Sequence, residues 1–180
     1  MPLVLLIGGA RSGKSDLALR LAREQRAPVV FIATAQAGDA EMAARITQHA
    51  RERPPSWQAI EEPLQLQRAI DQAADGDCVI LDCLTLWAAN ALEALGAPEA
   101  EAQATATAQA AATRRGLTIV VTNEVGLGIV PTDNALSRAY RDLLGRVNAI
   151  WADAADRAYL LIAGRALALA KTDPLSELLP

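Results

Sequence analysis

The chain has 180 residues, of which 52% are hydrophobic, 21% charged and only 3% aromatic. This length is typical of one domain with a substantial core, which aliphatic side chains and alanine must fill. A net charge of −4 argues against nucleic acid or an acidic membrane surface as a partner. We therefore expect residues 1–180 to form a single domain in which any anion site is local.

Neither a leader nor a membrane span is expected. Met1-Pro2 and the strand pattern after it lack a basic segment and a cleavable apolar helix, and no apolar run approaches the ~18 residues that cross a bilayer. The spacing of Cys78 and Cys83 fits neither a redox CxxC pair nor a four-ligand zinc set, so both are expected to be reduced packing residues. These features favour a cytoplasmic protein.

The most informative stretch joins an apolar run, residues 3–7, to Gly8-Gly9-Ala10-Arg11-Ser12-Gly13-Lys14-Ser15. A buried strand followed by this pattern and a helix is the setting of a phosphate-binding P-loop. Backbone N–H groups would surround the phosphates, Lys14 can reach the β- and γ-phosphates, and the Ser15 hydroxyl can hold Mg²⁺. An empty glycine-rich turn is the alternative. The chain has lysine only at positions 14 and 171, which favours the P-loop.

Beyond the P-loop, strand and helix patterns alternate. Strands are predicted at residues 29–33, 57–62, 78–82, 117–121, 159–163 and, weakly, 165–170, with helices at 14–27, 39–53, 64–74, 84–95, 99–115 and 134–155. Continuous apolar strands indicate a sheet covered on both faces. The order predicts an α/β P-loop NTPase fold with a mostly parallel sheet and helices on both faces. For the alanine-rich residues 99–115, a low-complexity linker is the alternative.

Polar residues follow two of the predicted buried strands. Thr34 follows residues 29–33, and Asp82 ends residues 78–82. Ligands of open α/β sheets bind at this edge, so Asp82 is a candidate to orient Mg²⁺ or its waters. The alternative is a solvated acid that opens a turn.

His49, the chain's single histidine, follows Met42 and Ile46 at helical spacing in the 39–53 segment. Taken alone, this pattern favours a packed or half-exposed histidine without a catalytic role. A second segment, residues 122–131, is apolar and rich in glycine, and it follows a strand at the expected ligand edge. It suggests a wall of the substrate site, with a simple turn as the alternative.

The long helix predicted at residues 134–155 has an apolar stripe from Leu136 to Ala154, which is expected to face the core or an oligomer contact. Its arginines, Arg138, Arg141 and Arg146, are interpreted as a solvated face from which one side chain could reach a phosphate.

Several segments form a more specific pattern when they are taken together and in order. They are Gly8 to Ser15, Ile32-Ala33-Thr34, Glu41-Met42-Ala43-Ala44-Arg45-Ile46-x-x-His49, Arg53-Pro54-x-x-Trp57, Thr122-Asn123-Glu124-Val125-Gly126-x-Gly128-Ile129-Val130-Pro131 and Gly145-Arg146-Val147-Asn148. In combination, these segments resemble adenosylcobinamide kinase/adenosylcobinamide-phosphate guanylyltransferase, and the resemblance covers nearly the whole chain in order. The P-loop alone is generic, whereas the His49 segment and the loop that begins at Thr122 are specific.

The resemblance implies a bifunctional enzyme with a RecA-like fold that forms a homotrimer. It would phosphorylate adenosylcobinamide with GTP or ATP, then transfer GMP from GTP through a guanylylated His49 to give adenosyl-GDP-cobinamide. It implies catalytic roles for His49 and Lys14 and metal binding by Ser15 and Asp82. The implied nucleotide-binding residues are Gly8, Gly9, Ala10, Arg11, Ser12, Gly13, Lys14, Ser15, Ala33, Thr34, Ala35, Ala50, Arg51, Glu52, Arg53, Glu61 and Asp82.

This sequence departs from the family pattern at two places. Position 82 is Asp, where at least some members carry Glu, and the shorter acid would hold Mg²⁺ through water. The segment Gly164-Arg165-Ala166 also diverges.

Two other functions fit parts of the pattern. A monofunctional P-loop kinase of a small metabolite would use Lys14, Ser15 and Asp82 but leave His49 without a covalent role. A nucleotide-gated binding module would carry out no transfer chemistry. No guanine-reading motif such as Asn-Lys-x-Asp is present, so GTP specificity depends on the resemblance.

Overall fold

One seven-stranded sheet organises the computed structural model, which describes residues 2–171. Six strands run parallel, and β7 pairs antiparallel with β6 at one edge. The strand order is β3-β2-β4-β5-β1-β6-β7. The strands are β1 (Leu3–Gly8), β2 (Val29–Ala33), β3 (Gln58–Glu61), β4 (Cys78–Asp82), β5 (Thr118–Asn123), β6 (Arg157–Ile162) and β7 (Arg165–Leu169).

Six helices connect the strands, and none has the length and apolar character needed to cross a membrane within the described residues. The alanine-rich segment is a helix of 17 residues, so the linker alternative is wrong. Residues 172–180, which follow the last predicted strand, lie outside the described part. The helices are α1 (Lys14–Arg23), α2 (Ala40–Arg51), α3 (Leu66–Asp71), α4 (Leu84–Leu95), α5 (Ala97–Thr113) and α6 (Ala135–Ala154).

The sheet has a hydrophobic core on each face, as the continuous apolar strands predicted. Alternate residues of β1 show the division: Leu3 and Leu5 join the core beneath α3, α4, α5 and α6, whereas Val4 and Leu6 join the core beneath α1. All four side chains are buried. Burial of each such side chain contributes roughly 1.5–3 kcal/mol, so a one-residue shift in register would be strongly destabilising.

Helix α5 buries its small residues instead of large ones. Ala100, Ala104, Thr107, Ala108 and Ala111 are buried, and the helix packs against α4 and α6. Alanine combines the highest helix propensity with a minimal side chain, so α5 forms a close layer over the α6 side of the core.

Helix α2 differs from the others because none of its residues is buried. Local interactions stabilise it instead: the side chain of Asp39, the N-cap, accepts a 2.7 Å hydrogen bond from the N–H of Met42. At the other end, Arg23 of α1 donates a 2.9 Å hydrogen bond to the backbone oxygen of Glu52, the C-cap. Helix α2 is therefore bonded to α1 at its C-terminal end and lies on the rest of the fold without entering its core.

Candidate functional site

A cavity of about 580 Å³ lies where the P-loop, α2 and the turn after β4 meet. The P-loop follows β1, and Asp82 ends β4, with β5 lying between these two strands in the sheet. The cavity thus occupies the carboxyl edge of the parallel strands, where α/β proteins bind ligands.

Glycines shape the P-loop at two positions. A Cβ on Gly8 would lie 2.3 Å from the backbone oxygen of Leu161 in β6, so a side chain there would collide with the neighbouring strand. Gly13 has a φ of 95° and is the N-cap of α1, a conformation that glycine adopts at low cost. The N–H of Gly164, in the β6–β7 turn, donates a 3.0 Å hydrogen bond to the oxygen of Ser12. The β6–β7 turn therefore stabilises the P-loop.

Lys14 is buried within the P-loop, with only 6% of its surface exposed. Its Nζ donates hydrogen bonds to the oxygen of Gly9 over 2.6 Å and to the Oγ of Ser12 over 3.2 Å. Burial lowers the pKa of Lys14, and the negative charge of Asp82 opposes this effect. The ammonium group therefore lies in a weakly solvated position where attraction to phosphate is strong.

Asp82 is surrounded by groups that stabilise its charge. Burial raises the pKa of its carboxyl group, whereas a hydrogen bond from Ser15 and the nearby His49, Arg53 and Lys14 lower it. The desolvation effect is the largest of these. A desolvated carboxylate beside basic groups in a cleft is a frequent property of functional sites.

The Ser15–Asp82 pair also suits a magnesium ion. Both side chains offer oxygen, and Mg²⁺ takes one or two protein oxygens and fills its remaining positions with phosphate oxygens and water. Residues 2–171 contain no cluster of three or more acidic, histidine or cysteine side chains that would form a closed metal site. Ser15 and Asp82 thus offer the small number of protein oxygens that Mg²⁺ takes.

Thr34 lies beneath the cavity and does not line it. This residue is fully buried, and its hydroxyl donates to the oxygen of Cys83 over 2.7 Å and accepts from the N–H of Cys83 over 2.9 Å. Its own backbone oxygen accepts a 3.0 Å hydrogen bond from Asn90 of α4. Thr34 thus fixes the turn that presents Asp82.

His49 lines the cavity from α2, together with Met42 and Ile46. Its side chain is 47% exposed, and its Nδ1 lies 3.5 Å from Oε2 of Glu52. Arg53 follows the helix, with its guanidinium 3.7 Å from the centroid of the Phe31 ring. The helix therefore presents an imidazole, a cation and an apolar patch to the same cavity as the P-loop.

Most of the predicted site residues share this cavity, but five do not. Gly8, Gly9, Thr34, Arg51 and Glu52 are absent from its lining. Gly8 shapes the loop, and the backbone oxygen of Gly9 accepts a hydrogen bond from Lys14. Arg51 is exposed at the end of α2. The predicted residues that do line the cavity are Ala10, Arg11, Ser12, Gly13, Lys14, Ser15, Ala33, Ala35, His49, Ala50, Arg53, Glu61 and Asp82.

The cavity also contains residues that were not among the predicted site residues. Several come directly after β4 or end β5, so the rule that ligands bind at strand ends would have indicated them. Arg45 and Ile46 lie on the same side of α2 as His49, so helical spacing would have indicated those two. The additional lining residues are Asp16, Met42, Arg45, Ile46, Cys83, Thr85, Leu86, Val121 and Asn123.

The loop after β5 is held by α6 and exposes apolar side chains. Arg141 donates hydrogen bonds to the oxygens of Gly126 and Gly128, and Arg138 donates to those of Pro131 and Thr132. Leu127 is 85% exposed and Ile129 is 96% exposed. The two arginines therefore order the loop, which argues against the predicted solvated face. Arg146, the third, pairs with Glu101 over 2.7 Å.

Comparison with known proteins identifies relatives over nearly the whole chain. Residues 4–169 match the model of the family described as cobinamide kinase / cobinamide phosphate guanyltransferase. The bifunctional adenosylcobalamin biosynthesis protein CobP of Pseudomonas aeruginosa is 42% identical over 95% of this chain and 98% of its own length. The corresponding proteins named CobU are 42% identical in Salmonella typhimurium and 38% identical in Escherichia coli, each over 90% of this chain and 96% of the relative.

Solved structures share the fold at low sequence identity. An ATPase from a bacterial type III secretion system matches 89% of this chain with a TM-score of 0.56 and 14% identity, and this chain covers 51% of that one. A protein from Pyrococcus horikoshii OT3 matches 96% of this chain and 88% of its own, with a TM-score of 0.60 and 9% identity. The predicted P-loop NTPase fold is thus confirmed. By the family match and the three relatives, the chain belongs to the cobinamide kinase / cobinamide phosphate guanyltransferase family.

Proposed function

We propose that this protein phosphorylates adenosylcobinamide and then transfers GMP from GTP to the resulting phosphate through His49. One observation carries the proposal: a P-loop lysine and an exposed imidazole line the same cavity. A kinase needs only the first of these groups. A nucleotidyltransferase that works through a covalent intermediate needs both the phosphate site and a nucleophile beside it.

The P-loop and Lys14 would carry the kinase step. The hydroxyl of adenosylcobinamide attacks the γ-phosphorus of GTP or ATP, and the bond to the β–γ bridging oxygen breaks. Charge develops on the transferring group and on the leaving diphosphate. The buried ammonium of Lys14 and the loop N–H groups are placed to stabilise that charge without reorganisation.

The residues that would hold Mg²⁺ are Ser15 and Asp82, the second through water. A bound Mg²⁺ neutralises phosphate charge and orients the phosphate chain. The hydrogen bonds between Thr34 and Cys83 hold the turn that follows Asp82 and so fix the position of this carboxylate. Glu61 also lines the cavity and is the remaining carboxylate available to the metal or to the nucleoside.

His49 would carry the guanylyl step. A neutral imidazole nitrogen attacks the α-phosphorus of GTP, and pyrophosphate leaves with the electrons of the broken P–O bond. An oxygen of cobinamide phosphate then attacks the same phosphorus, and the imidazole leaves. Arg45 and Arg53, which line the cavity, are placed to neutralise the phosphate chain during both displacements.

We propose that the corrinoid approaches from the loop after β5. Asn123 at the end of β5 lines the cavity, and the ordered loop that follows exposes Leu127 and Ile129. Such apolar side chains suit a broad macrocycle whose hydroxyl arm must reach the phosphates. These observations support the predicted substrate wall, with the simple turn as the alternative.

The decisive experiment is incubation with α-labelled GTP and Mg²⁺, followed by denaturing separation. We expect a label on the protein that is labile in acid and stable in alkali, as a phosphoramidate is, and that is absent from His49→Ala. In the same assays, His49→Ala should still phosphorylate adenosylcobinamide. Absence of label from the wild type while it phosphorylates the corrinoid would leave a monofunctional kinase. Nucleotide turnover that adenosylcobinamide does not accelerate would indicate a binding module.

We also propose that the chain assembles as a homotrimer, which the motif resemblance supports. Light scattering coupled to gel filtration would test this, with an expected mass of three times the 19.0 kDa of one chain. A mass of one chain at the concentrations used in the assays would exclude the trimer.

A further inference from the structure

The carboxylate of Glu52 lies beside His49 but does not line the cavity. His49 lines the cavity, whereas Glu52 does not and instead borders a neighbouring surface depression with Asp16, Leu19, Arg20 and Arg23, of which Asp16 also lines the cavity. Oε2 of Glu52 lies 3.5 Å from Nδ1 of His49. The nitrogen on the carboxylate side is thus Nδ1, which leaves Nε2 as the nitrogen available to a ligand.

Glu52 is itself held by two neighbours. Its Oε1 accepts a 3.0 Å hydrogen bond from Nε2 of Gln48, and its backbone oxygen accepts a 2.9 Å hydrogen bond from Arg23 of α1. One carboxylate oxygen is therefore occupied, and the other lies 3.5 Å from the imidazole nitrogen. Catalytic hydrogen bonds are often long before substrate binds, so a separation of 3.5 Å is compatible with a bond that shortens during the reaction.

We infer that Glu52 is a positioning residue that selects the reactive tautomer of His49. This inference rests on the proposed guanylyl transfer. A carboxylate that accepts from Nδ1–H favours the neutral tautomer in which Nε2 carries the lone pair. The assignment replaces the predicted contact between Glu52 and nucleotide, because Glu52 does not line the cavity.

The role of Glu52 follows from the balance of the step. The Nε2 lone pair forms the bond to the α-phosphorus as the bond to the bridging oxygen breaks, and pyrophosphate leaves with that electron pair. The proton on Nδ1 stays on the ring, which becomes positively charged. Glu52 compensates this charge without taking the proton, as a carboxylate beside a catalytic imidazole does elsewhere. When the corrinoid phosphate displaces the imidazole, the electron pair returns to Nε2 and the neutral tautomer is restored.

The single histidine of the chain makes a direct test possible. ¹⁵N-histidine labelling gives an NMR spectrum with one imidazole, and its two nitrogen shifts report the tautomer at an alkaline pH where the ring is neutral. We expect the Nδ1–H form in the wild type and a shift towards the Nε2–H form in Glu52→Ala. Glu52→Gln keeps an acceptor for Nδ1–H but no charge, so the tautomer of His49 should change less in this variant than in Glu52→Ala.

Activity measurements separate positioning from folding. Loss of a carboxylate that orients a metal-bound histidine typically costs about 10–100-fold. We expect a loss of similar size in the single-turnover guanylylation rate of Glu52→Ala, with an intermediate loss in Glu52→Gln. Phosphorylation of adenosylcobinamide with ATP should stay within twofold of wild type, and Glu93→Gln, an exposed acid on α4, is the matched charge control. An unchanged tautomer or an unchanged guanylylation rate in Glu52→Ala would overturn the inference. The NMR result does not depend on guanylylation, so failure of the proposed function is recognised separately as absence of label in the wild type.

Discussion

The hydroxyl of Thr34 forms hydrogen bonds with both backbone groups of Cys83, donating to its oxygen over 2.7 Å and accepting from its N–H over 2.9 Å. The two residues belong to turns that follow neighbouring strands, β2 and β4. One buried side chain therefore joins the two turns and sets the position of Asp82. This relationship explains why a threonine outside the cavity can matter for what binds inside it.

Thr34→Val tests that relationship, because valine keeps the shape and removes the hydroxyl. Unsatisfied buried backbone groups cost about 1–3 kcal/mol, so we expect the free energy of unfolding in urea to fall by that amount and nucleotide affinity to weaken. Thr105→Val is the control, since Thr105 is exposed and bonds only within its own helix. Equal stabilities and affinities for Thr34→Val and wild type would show that the turn is held by other contacts.

Lys14→Met should remove most kinase activity while the fold persists. Loss of one preorganised donor to a transition-state charge costs about 10²–10³-fold in kcat, and the buried ammonium has no nearby substitute in the P-loop, where Arg11 is exposed. The other lysine provides a matched control: Lys171 is exposed and donates to the oxygen of Asp153, so Lys171→Met should retain full activity. Phosphorylation by Lys14→Met within tenfold of wild type would contradict the assignment.

Asp82→Asn should separate stability from function. Burial raises the pKa of this carboxyl in the folded state above its ordinary value. At a pH between the unfolded-state pKa and the folded-state pKa, the folded state therefore binds more protons than the unfolded state. Wild-type stability attributable to Asp82 therefore rises as the pH falls through that window and is lowest above it. We expect Asp82→Asn to melt at a higher temperature than wild type at neutral pH, with the difference vanishing below about pH 4, the ordinary carboxyl pKa.

The same variant should lose Mg²⁺-dependent kinase activity by at least about 100-fold, because a neutral amide orients metal-bound water poorly. Scanning calorimetry at several pH values measures the melting temperature, and kinase assays measure the loss of activity. Asp142→Asn, an exposed acid on α6, is the charge control. A lower melting temperature for Asp82→Asn at neutral pH would mean that the attraction of Lys14, Arg53 and His49 outweighs desolvation.

Sequence patterns were sufficient for the elements whose hydrophobic signal is strong. Strands β2 and β4 and helix α4 have the predicted boundaries, since each is a continuous apolar run or a regular amphipathic pattern between breakers. Leu136 shows the limit: it continues the apolar stripe of α6 but is 67% exposed, so it is not part of this chain's core. Periodicity identifies the apolar face of a helix. Which residues of that face are buried depends on how far the neighbouring elements extend along the helix.

The residues of the candidate site also fall into two groups, those that the sequence could place and those whose contacts it could not predict. Lys14, Ser15 and Asp82 could be placed from the sequence because strand ends and the P-loop define positions locally. The hydrogen bonds of Thr34 to a residue 49 positions away and those of Arg141 to a loop 15 positions away depend on tertiary structure. No spacing rule distinguishes such residues from ordinary buried or solvated ones.

Leu127→Ser and Ile129→Ser should weaken corrinoid binding selectively. Each side chain is more than four-fifths exposed, so removal of its apolar surface should change the free energy of unfolding by less than about 0.5 kcal/mol. If the corrinoid covers them, loss of about 1–3 kcal/mol of apolar contact raises KM for adenosylcobinamide roughly 5–150-fold and leaves KM for nucleotide unchanged. Leu167→Ser, an exposed leucine of β7, is the control. Unchanged corrinoid KM in the double variant would exclude this loop from the acceptor site.

Arg141→Lys should loosen the loop that carries Leu127 and Ile129. The guanidinium of Arg141 reaches the oxygens of both Gly126 and Gly128, and a lysine ammonium lacks the planar fork that allows two separated carbonyls to be held together. We expect faster amide hydrogen exchange across residues 124–131, with exchange in β1 and β4 unchanged, and a raised KM for adenosylcobinamide. Arg146→Lys, which alters an exposed pair with Glu101, should change neither. Exchange in the loop that matches wild type in Arg141→Lys would mean that the Glu124 bond to the N–H of Gly126 and the Arg138 contacts hold the loop by themselves.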